Sequence, residues 1–359
     1  MRFIDEYRNK ILIDTLLKNI RAISRKKIRL MEICGGHTYV IKRYGIDNLL
    51  PHNIRLISGP GCPVCVTGIS FINNAVKLSE NKNVIIATYG DLMRVPGTKK
   101  SLANARSEGA NVQIVYSTLQ AIELAEKYRD REIVFLGIGF ETTAPATAAA
   151  IIKAQEKKLK NFTVYSAHKI MPPAMIALID QGIAIDGFIA PGHVSTIGGA
   201  KMYNQIFKKY KVPIVISGFE PVDILQSIYM LVKQIEENNS EIEIQYKRAV
   251  TFDGNLKAQE YIYKVFEPSD DYWRGLGIIE KSGLSIYKDY FDFDATKKFN
   301  IVNENNVENV ACRCGEVLKG LIYPYECPLF QKICNPENPI GACMVSSEGA
   351  CQAYYLYGN

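Results

Sequence analysis

The sequence predicts an α/β protein in which two parallel-sheet domains are followed by an irregular or helical C-terminal iron–sulfur region. Short apolar runs alternate with helical patterns along most of the chain. Continuous apolar strands separated by helices are typical of parallel sheets that are covered on both faces. The chain has 359 residues, which exceeds one comfortable core and favours two or three domains.

Eight apolar runs have the length and composition of strands. They lie at Ile28–Ile33, Ile54–Ile57, Val84–Tyr89, Val112–Tyr116, Ile133–Leu136, Phe162–Ala167, Gly187–Ala190 and Ile214–Ser217. The main helical patterns lie at Asp5–Ile23, Ser70–Ser79, Thr118–Tyr128, Thr143–Lys157 and Val222–Ile235. We expect two sheets rather than one, in domains at residues 1–130 and 131–250, with the chain returning later. Residues 251–359 form the predicted C-terminal region, which begins with a less regular stretch rich in Tyr and Asp.

Composition narrows the class of protein. The chain is 47% hydrophobic and 22% charged, as expected for a folded protein without long disordered tails. A formal net charge of +6 is small for this size, so we expect no nucleic-acid partner. The first residues are charged and lack the apolar core of a secretory signal. Because no stretch approaches the roughly 18 apolar residues of a membrane span, we expect a cytoplasmic protein without a membrane partner.

Four of the predicted strands end in glycine-rich, polar turns that lead into helices. These turns are Cys34–Thr38, Gly59–Cys65, Gly137–Thr143 and Pro191–Ser195. In open parallel sheets the carboxyl ends of the strands form the ligand-binding edge, and glycine lets a backbone approach a ligand closely. The unusual residues of these turns are therefore predicted to gather where such folds perform chemistry.

Cys34 follows the first strand and precedes a helix. The helix dipole at that position lowers the pKa of a thiol and favours the thiolate. His37 lies one helical turn further on, where it could accept the thiol proton, hydrogen-bond a ligand on Cys34, or bind a metal. The alternative is a buried cysteine beside a turn histidine, and the two residues alone do not separate these interpretations.

Cys62 and Cys65 follow the second strand with C-x-x-C spacing. Two thiols at this spacing can form a disulfide or chelate one metal, and in a cytosolic protein the pattern indicates redox or metal chemistry. If the first two strands are neighbours, Cys34, Cys62 and Cys65 converge at one sheet edge. Three thiolates suit a soft metal such as iron, zinc or copper(I). Two unrelated buried thiols are the alternative.

Three further side chains are candidates for the same cleft. The turn that contains Glu141 resembles a dinucleotide-binding loop but lacks its third glycine, which disfavours a nicotinamide cofactor. We expect Glu141 to present a carboxylate to the cleft. His168 and His193 end or follow strands, and each is predicted either to line the cleft or to help build it.

Six of the nine cysteines lie within the last fifty residues, with the spacing C-x-C-x12-C-x6-C-x8-C-x7-C. This spacing matches neither a bacterial ferredoxin run nor paired C-x2-C zinc sites. A 4Fe–4S cluster uses four cysteines and would leave two over, which can form and break a disulfide. A zinc site with two additional thiols is the alternative.

The motifs taken together resemble those of the HypD family of NiFe-hydrogenase maturation factors, and the resemblance covers essentially the whole chain. The segments that carry it are Met31–Thr38, Gly59–Thr67, Gly139–Pro145, Pro191–Ser195, Cys327–Phe330 and Gly341–Cys351. Each segment alone is weakly specific, whereas their combination is highly specific. The resemblance implies two similar α/β domains and a C-terminal region that holds a 4Fe–4S cluster.

The resemblance also implies a function and a set of partners. Proteins of this family work with the small chaperone HypC and with HypE, which delivers cyanide groups as a thiocyanate. An iron atom acquires two cyanides and one carbon monoxide on the complex, and this Fe(CN)2CO unit then passes to the hydrogenase. By motif match, Cys34 is the iron ligand from this chain, with His37 beside it. Cys62 and Cys65 are redox-active and assist cyanide transfer or iron binding.

For the C-terminal cysteines, similarity to ferredoxin–thioredoxin reductase implies a cluster beside a disulfide. The implied cluster ligands are Cys312, Cys327, Cys334 and Cys351, and the implied redox pair is Cys314 with Cys343. The leading hypothesis is therefore a redox-active scaffold for metal-cofactor assembly, rather than a conventional turnover enzyme. A stand-alone iron–sulfur-dependent disulfide reductase is the alternative, and a zinc-stabilised binding protein without chemistry is the third hypothesis.

Overall fold

Two parallel β-sheets form the framework of the computed structural model, which describes residues 5–302 and 308–358. The strands are β1 (Ile28–Glu32), β2 (Ile54–Ser58), β3 (Val84–Thr88), β4 (Val112–Ile114), β5 (Glu132–Gly139), β6 (Phe162–His168), β7 (Gly187–Pro191), β8 (Ile214–Ser217), β9 (Ile242–Ile244), β10 (Phe266–Trp273) and β11 (Gly277–Ile286). All eight predicted strands are present, and the predicted α/β class with two parallel sheets is confirmed.

Helices occupy most of the connections between the strands. They are α1 (Lys10–Ile23), α2 (Gly35–Arg43), α3 (Ile46–Leu49), α4 (Pro63–Val66), α5 (Ile69–Ser79), α6 (Leu102–Ser107), α7 (Thr118–Lys127), α8 (Ala144–Glu156), α9 (Met171–Asp180), α10 (Gly192–Gly198), α11 (Asn204–Tyr210), α12 (Pro221–Glu236), α13 (Leu256–Val265), α14 (Ala295–Lys298), α15 (Cys314–Leu318) and α16 (Ala350–Tyr357). Short 3-10 turns add Asp5–Arg8, Gly90–Leu92, Ala200–Tyr203, Lys288–Phe293, Pro324–Glu326 and Ala342–Met344.

The two sheets draw on different parts of the chain. The first has five parallel strands in the order β2-β1-β7-β8-β9, and the second has four in the order β4-β3-β5-β6. The chain thus leaves the first sheet after β2, builds the whole second sheet, and returns at β7. Strands β10 and β11 form a separate antiparallel hairpin within the stretch that the sequence predicted to be less regular.

This grouping differs from the predicted boundary between residues 130 and 131. That point lies just before β5, which pairs with β3 and β6 inside the second sheet. The first sheet combines strands from before residue 60 with strands from after residue 186. Local apolar patterns identify strands but not their neighbours, because a parallel pairing is made between segments far apart in sequence. The division of the chain into domains remains a prediction.

The C-terminal region packs against the start of α2. Helix α16 lies on α2, and a Cβ atom added to Gly35 would lie 1.9 Å from the carbonyl oxygen of Glu348. The Lys42 ammonium of α2 lies 3.7 Å from the centre of the Tyr354 ring of α16, a cation–π contact. The cysteine-rich segment is therefore held directly against the turn that carries Cys34.

Across residues 5–302 and 308–358, no helix combines the length and the apolar character needed to cross a bilayer.

Gly35→Ala is expected to loosen the C-terminal region, because the new methyl group would overlap the backbone of Glu348. Overpacking of this kind costs about 1–3 kcal/mol of unfolding free energy. The matched control is Gly90→Ala, whose added carbon would meet nothing closer than 3.9 Å. Denaturant unfolding and limited proteolysis measure both variants, and equal stability of the two would show that the close backbone approach does not matter.

Candidate functional site

Cys34 lies at the carboxyl edge of the first sheet, as the sequence predicted. It is the residue before α2, in extended conformation, and its side chain is buried. The parallel pairing of β1 with β2 places the turn after β2 alongside it. The Gly35 amide donates to the Gly61 carbonyl over 3.2 Å, and a Cβ at Gly61 would lie 2.3 Å from the Cys34 nitrogen. The turn containing Cys34 and the turn containing Cys62 therefore interlock through glycine.

The expected lowering of the Cys34 pKa is wrong for this structure. Burial raises the pKa of the Cys34 thiol to about 12, and the nearby Glu348 carboxylate raises it further, while amides at the start of α2 lower it only in part. Desolvation of a thiolate outweighs the helix dipole at a site that excludes water. Cys34 is thus a protonated thiol until a positive charge reaches it.

His37 is buried in a neutral form. Its Nε2 lies 3.3 Å from the Ser217 carbonyl oxygen, so Nε2 carries the proton and donates it. Burial lowers the pKa of His37 to about 4. The other ring nitrogen, Nδ1, is buried without a hydrogen-bond partner in the described part of the chain. An unprotonated nitrogen near the Cys34 turn can accept a hydrogen bond or bind a cation.

An aromatic stack joins two candidate histidines. Phe219 lies between His37 and His193, with ring centres 4.7 Å and 3.8 Å away respectively. His193 is exposed at the edge of this stack, whereas His37 is fully buried. The structure therefore brings His37 and His193 together across Phe219, a residue that the motif reasoning missed.

A buried ion pair supports the stack. Asp223 is fully buried and accepts two hydrogen bonds from Arg248, at 2.8 and 2.5 Å. The Arg248 guanidinium also lies 4.4 Å from the centre of the Tyr246 ring, which packs edge-on against Phe219. Bidentate pairing fixes the plane of the Arg248 guanidinium and thereby the position of the Tyr246 ring against Phe219.

Cys62 and Cys65 are joined by a disulfide, with Cα atoms 5.2 Å apart. Cys62 precedes α4, its sulfur accepts from the Cys65 amide at 3.2 Å, and both residues are buried. Of the three upstream cysteines, Cys34 alone carries a free thiol here. The involvement of all three in iron binding remains a prediction, and it requires prior reduction of this disulfide.

The sulfurs of Cys314 and Cys343 lie 2.8 Å apart, and both side chains are buried. Cys343 belongs to the turn Ala342–Met344, which packs against α4. Since α4 carries the disulfide-bonded Cys65, the two cysteine pairs occupy neighbouring elements. Such neighbouring positions are a requirement for thiol–disulfide exchange between the two pairs.

The other C-terminal cysteines lie around Cys351. Cys351 lies within hydrogen-bond reach of Cys343 and interacts electrostatically with Cys334 and Cys327, and Cys312 lies within hydrogen-bond reach of Cys314. Cys327 and Cys334 also share an apolar cluster with the aromatic side chains of Phe330 and Tyr354. Cys351 packs against the same apolar cluster, and thiols are the donors that a 4Fe–4S cluster uses.

No group of three or more His, Cys, Asp or Glu side chains within the described ranges is arranged to hold a single metal ion. A 4Fe–4S cluster takes one cysteine per iron, so its ligands need not converge on one point. A 4Fe–4S cluster at these cysteines stays a prediction. The assignment of four cysteines to the cluster and two to the redox pair remains a prediction.

Glu141 follows β5 and is buried. Its Oε1 accepts from the Met171 amide at 3.0 Å, while Oε2 has no partner among the residues described. Burial raises the pKa of Glu141 to about 7. Burial raises the pKa of Tyr203, and the charges of Glu141 and Cys34 raise it further. The Tyr203 hydroxyl donates to Ser195 Oγ at 2.9 Å. Tyr203 belongs to no sequence motif. Its interactions with Glu141, after a strand of the second sheet, and with Cys34, after a strand of the first, arise only in the folded protein.

His168 has a different environment from His37. Its Nε2 lies 3.0 Å from Thr147 Oγ1 and its Nδ1 lies 3.4 Å from Thr143 Oγ1. Burial lowers the pKa of His168 to about 4. With both ring nitrogens paired, the side chain helps to build the second sheet rather than to offer a ligand.

Glu32 is a buried acid that motif reasoning also missed. Its Oε1 accepts from Thr38 at 3.2 Å and from Ser58 at 3.0 Å, while Oε2 is unpaired in the described ranges. Burial raises the pKa of Glu32 to about 8. A carboxylate within a mostly apolar strand, two residues before Cys34, was the signal available in the sequence.

The fold and the site define a thiol-rich α/β protein in which a C-terminal cysteine-rich segment packs against the sheet edge that carries Cys34. A family model described as "HypD: Hydrogenase formation hypA family" matches residues 11–358. The hydrogenase maturation factor HypD2 of Bradyrhizobium diazoefficiens is 47% identical over 371 residues, covering 100% of this chain and 97% of the relative. The chain therefore belongs to the HypD family, and its function lies in hydrogenase maturation.

Relatives from distant organisms agree. Hydrogenase maturation factor HypD of Escherichia coli K12 is 44% identical over 366 residues, covering 99% of this chain and 98% of the relative. A putative hydrogenase expression/formation protein of Methanocaldococcus jannaschii is 42% identical, covering 97% and 98%. A solved structure of 2,3-dimethylmalate lyase aligns with a TM-score of 0.15 and 10% identity over 71% of this chain and 86% of that one. This score is too low to indicate a shared fold.

Glu141→Gln is expected to flatten the pH dependence of stability. The folded protein keeps the proton of Glu141 up to a pKa of about 7, whereas the unfolded chain releases it near 4.5. The folded state therefore binds more protons between these values, so this carboxyl lowers stability as pH rises through that window. The full effect is up to about 3 kcal/mol.

Denaturant unfolding at a series of pH values tests this effect. The amide oxygen of the substituted side chain can still accept from Met171, so Glu141→Gln should gain on the wild type between pH 4.5 and 7. Glu123→Gln, on the exposed face of α7, should follow the wild type. A constant difference between Glu141→Gln and the wild type at every pH would contradict the assignment.

Proposed function

We propose that this protein is a cytoplasmic scaffold on which, together with a HypC-like chaperone, the Fe(CN)2CO unit of a NiFe hydrogenase is assembled. Cyanide groups would come from a HypE-like donor, and the iron is cargo rather than a resident cofactor. The observation that carries the proposal is the Cys34 turn, where a free thiol, a neutral histidine and the C-terminal cysteine region meet at one sheet edge.

The electrostatics of this turn suit capture of a cation. Burial raises the pKa of Cys34 and lowers that of His37, so both groups are neutral at rest. A bound iron(II) ion would favour the thiolate and displace the thiol proton. The unpartnered Nδ1 of His37 is unprotonated and is able to bind the iron(II) ion directly.

Electrons for cyanide transfer would pass through the cysteine pairs. When bound, a 4Fe–4S cluster supplies one electron at a time. Reduced Cys314 and Cys343 hold two electrons, and Cys343 lies on a turn packed against α4. Attack of the Cys343 thiolate on the Cys62–Cys65 disulfide, resolved by Cys314, would leave Cys62 and Cys65 as thiols and Cys314–Cys343 as a disulfide.

Infrared spectroscopy of the purified complex tests the scaffold. The protein is isolated anaerobically with its HypC-like partner from cells that contain all the maturation proteins. Bound cyanide and carbon monoxide give stretching bands that we expect in the wild type and in Tyr116→Phe, a change at an exposed residue. Cys34→Ser should reduce the bands to background. Absence of bands in the wild-type complex would contradict the scaffold and leave a stand-alone disulfide reductase as the better interpretation.

A double replacement tests the electron path. Cys314→Ser with Cys343→Ser should stall hydrogenase maturation while the iron–sulfur absorption of the protein persists, since neither residue is assigned to the cluster. Cys312→Ser should instead reduce that absorption. Hydrogenase activity and the optical spectrum are measured in parallel. Normal hydrogenase activity in the double variant would rule out this relay.

A further inference from the structure

A cavity of about 330 Å³ opens beside the C-terminal redox pair, away from the Cys34 turn. Its lining includes Cys312, Cys314, Arg274, Glu308 and Asn309. A volume near 300 Å³ is at the lower end of the range for small-molecule sites. Nothing in the proposed iron-handling chemistry uses this cavity, although two of the cysteines form part of its wall.

Arg274 is fixed against this cavity with one donor unused. Only 6% of the residue is exposed. Its amide donates to Val66 at 2.7 Å, one guanidinium nitrogen donates to the Thr67 carbonyl at 2.9 Å, and another pairs with Glu308. Its Nε has no acceptor within the described residues. Because an unpaired buried donor is costly, the free N–H points to a ligand that supplies an acceptor.

The two members of the redox pair are not equivalent. Cys314 lines the cavity, whereas Cys343 is fully buried and lies on the turn that packs against α4. The pair therefore extends from the cavity toward the Cys62–Cys65 disulfide. A reagent arriving through the cavity reaches Cys314 first, and Cys343 is left to serve the interior.

We propose that this cavity is the entry site for an external thiol reductant that reloads the Cys314–Cys343 pair with electrons. The proposal rests on the proposed function, in which each transfer to Cys62–Cys65 leaves Cys314 and Cys343 as a disulfide. It gives the pair a source of electrons in addition to a cluster. The free Nε–H of Arg274 holds an acceptor group of the reductant, such as a thiolate or carboxylate.

The exchange balances as a two-electron reaction. A thiolate of the reductant attacks Sγ of Cys314, the bond between Cys314 and Cys343 breaks, and Cys343 leaves as a thiolate that takes up a proton. The second thiol of the reductant attacks the reductant sulfur of this mixed disulfide and releases Cys314. Two electrons and two protons reach the pair, and the dithiol reductant ends as a disulfide.

Blocking the cavity mouth tests the proposal. Asn309 is exposed and lines the cavity, so Asn309→Trp should obstruct it without entering the core. Val310→Trp is the matched control, since Val310 is 98% exposed and is not part of the lining. The full-length protein is oxidised mildly, and reduction of Cys314–Cys343 by dithiothreitol is followed by alkylation and mass spectrometry.

Access controls the rate of thiol–disulfide exchange, so Asn309→Trp should slow reduction by about tenfold or more while Val310→Trp matches the wild type. Equal rates for Asn309→Trp and the wild type would overturn the proposal. So would failure of the oxidised wild type to contain a Cys314–Cys343 disulfide. The assay is repeated with reduced thioredoxin to separate the sources. Slower reduction of Asn309→Trp by both reagents supports a protein dithiol. Slower reduction by dithiothreitol alone supports a small thiol.

The role of Arg274 is tested with Arg274→Lys, which keeps a positive charge but lacks Nε. Mixed-disulfide formation at Cys314 is compared for the anion 2-mercaptoethanesulfonate and for neutral 2-mercaptoethanol. The ratio of their rates should fall about threefold or more in Arg274→Lys, because a directed charge-assisted hydrogen bond is lost. The ratio uses one protein sample, so a modest loss of folded protein cancels. An unchanged ratio, or a mixed disulfide on Cys343, would overturn the assignment.

These assays use neither a hydrogenase nor a maturation partner. Cavity-dependent reduction without infrared bands would therefore leave the entry site standing while the scaffold fails. Infrared bands together with reduction that does not depend on the cavity would support the scaffold and contradict the entry site.

Discussion

The close contact between the Gly35 backbone and Glu348 is the constraint on which the site depends. No side chain fits at Gly35, because its Cβ would lie 1.9 Å from the Glu348 carbonyl oxygen. This contact, with α16 on α2 and Lys42 over Tyr354, holds the cysteine-rich segment at the carboxyl edge of the first sheet. Without it, Cys34 would lie in an open turn and the C-terminal cysteines would have no fixed relation to it.

Burial of the site sets its charge state. Burial raises the pKa of Cys34 to about 12 and that of Glu32 to about 8, and lowers that of His37 to about 4. Each shift favours the neutral form, since an unpaired charge in a water-poor interior is costly. A site that is neutral when empty, with unpartnered acceptors on His37 and Glu32 among the described residues, is suited to a positively charged cargo.

The same packing arranges the cysteines in series. Cys314 lines a surface cavity, and its sulfur lies 2.8 Å from the sulfur of Cys343. The turn that carries Cys343 packs against α4, which carries the disulfide-bonded Cys65. The interlocked turns after β1 and β2 then bring α4 next to Cys34. The sulfurs of both pairs are buried, and access is one of the factors that set the rate of thiol–disulfide exchange.

Local patterns determined a large part of this protein. Apolar runs identified the strands of both sheets except β9, whose half-buried Ile-Glu-Ile sequence is not a continuous apolar run. The turns after those strands identified Cys34, His37, Cys62, Glu141 and His193, since parallel strands place their carboxyl ends on one edge. The combination of the cysteine, histidine and glycine motifs was also enough to identify the family.

Tertiary structure alone decided which strands share a sheet, because a crossover of more than a hundred residues separates β2 from β7. It also decided the protonation of Cys34, since burial in the folded protein raises the pKa of this thiol and the charge of the distant Glu348 raises it further. Phe219, Tyr203 and Arg274 belong to no cysteine or histidine motif, and their interactions with His37, Cys34 and Cys314 form only when distant segments pack. Sequence thus determined the reactive groups, and long-range packing determined their charge, their neighbours and their access.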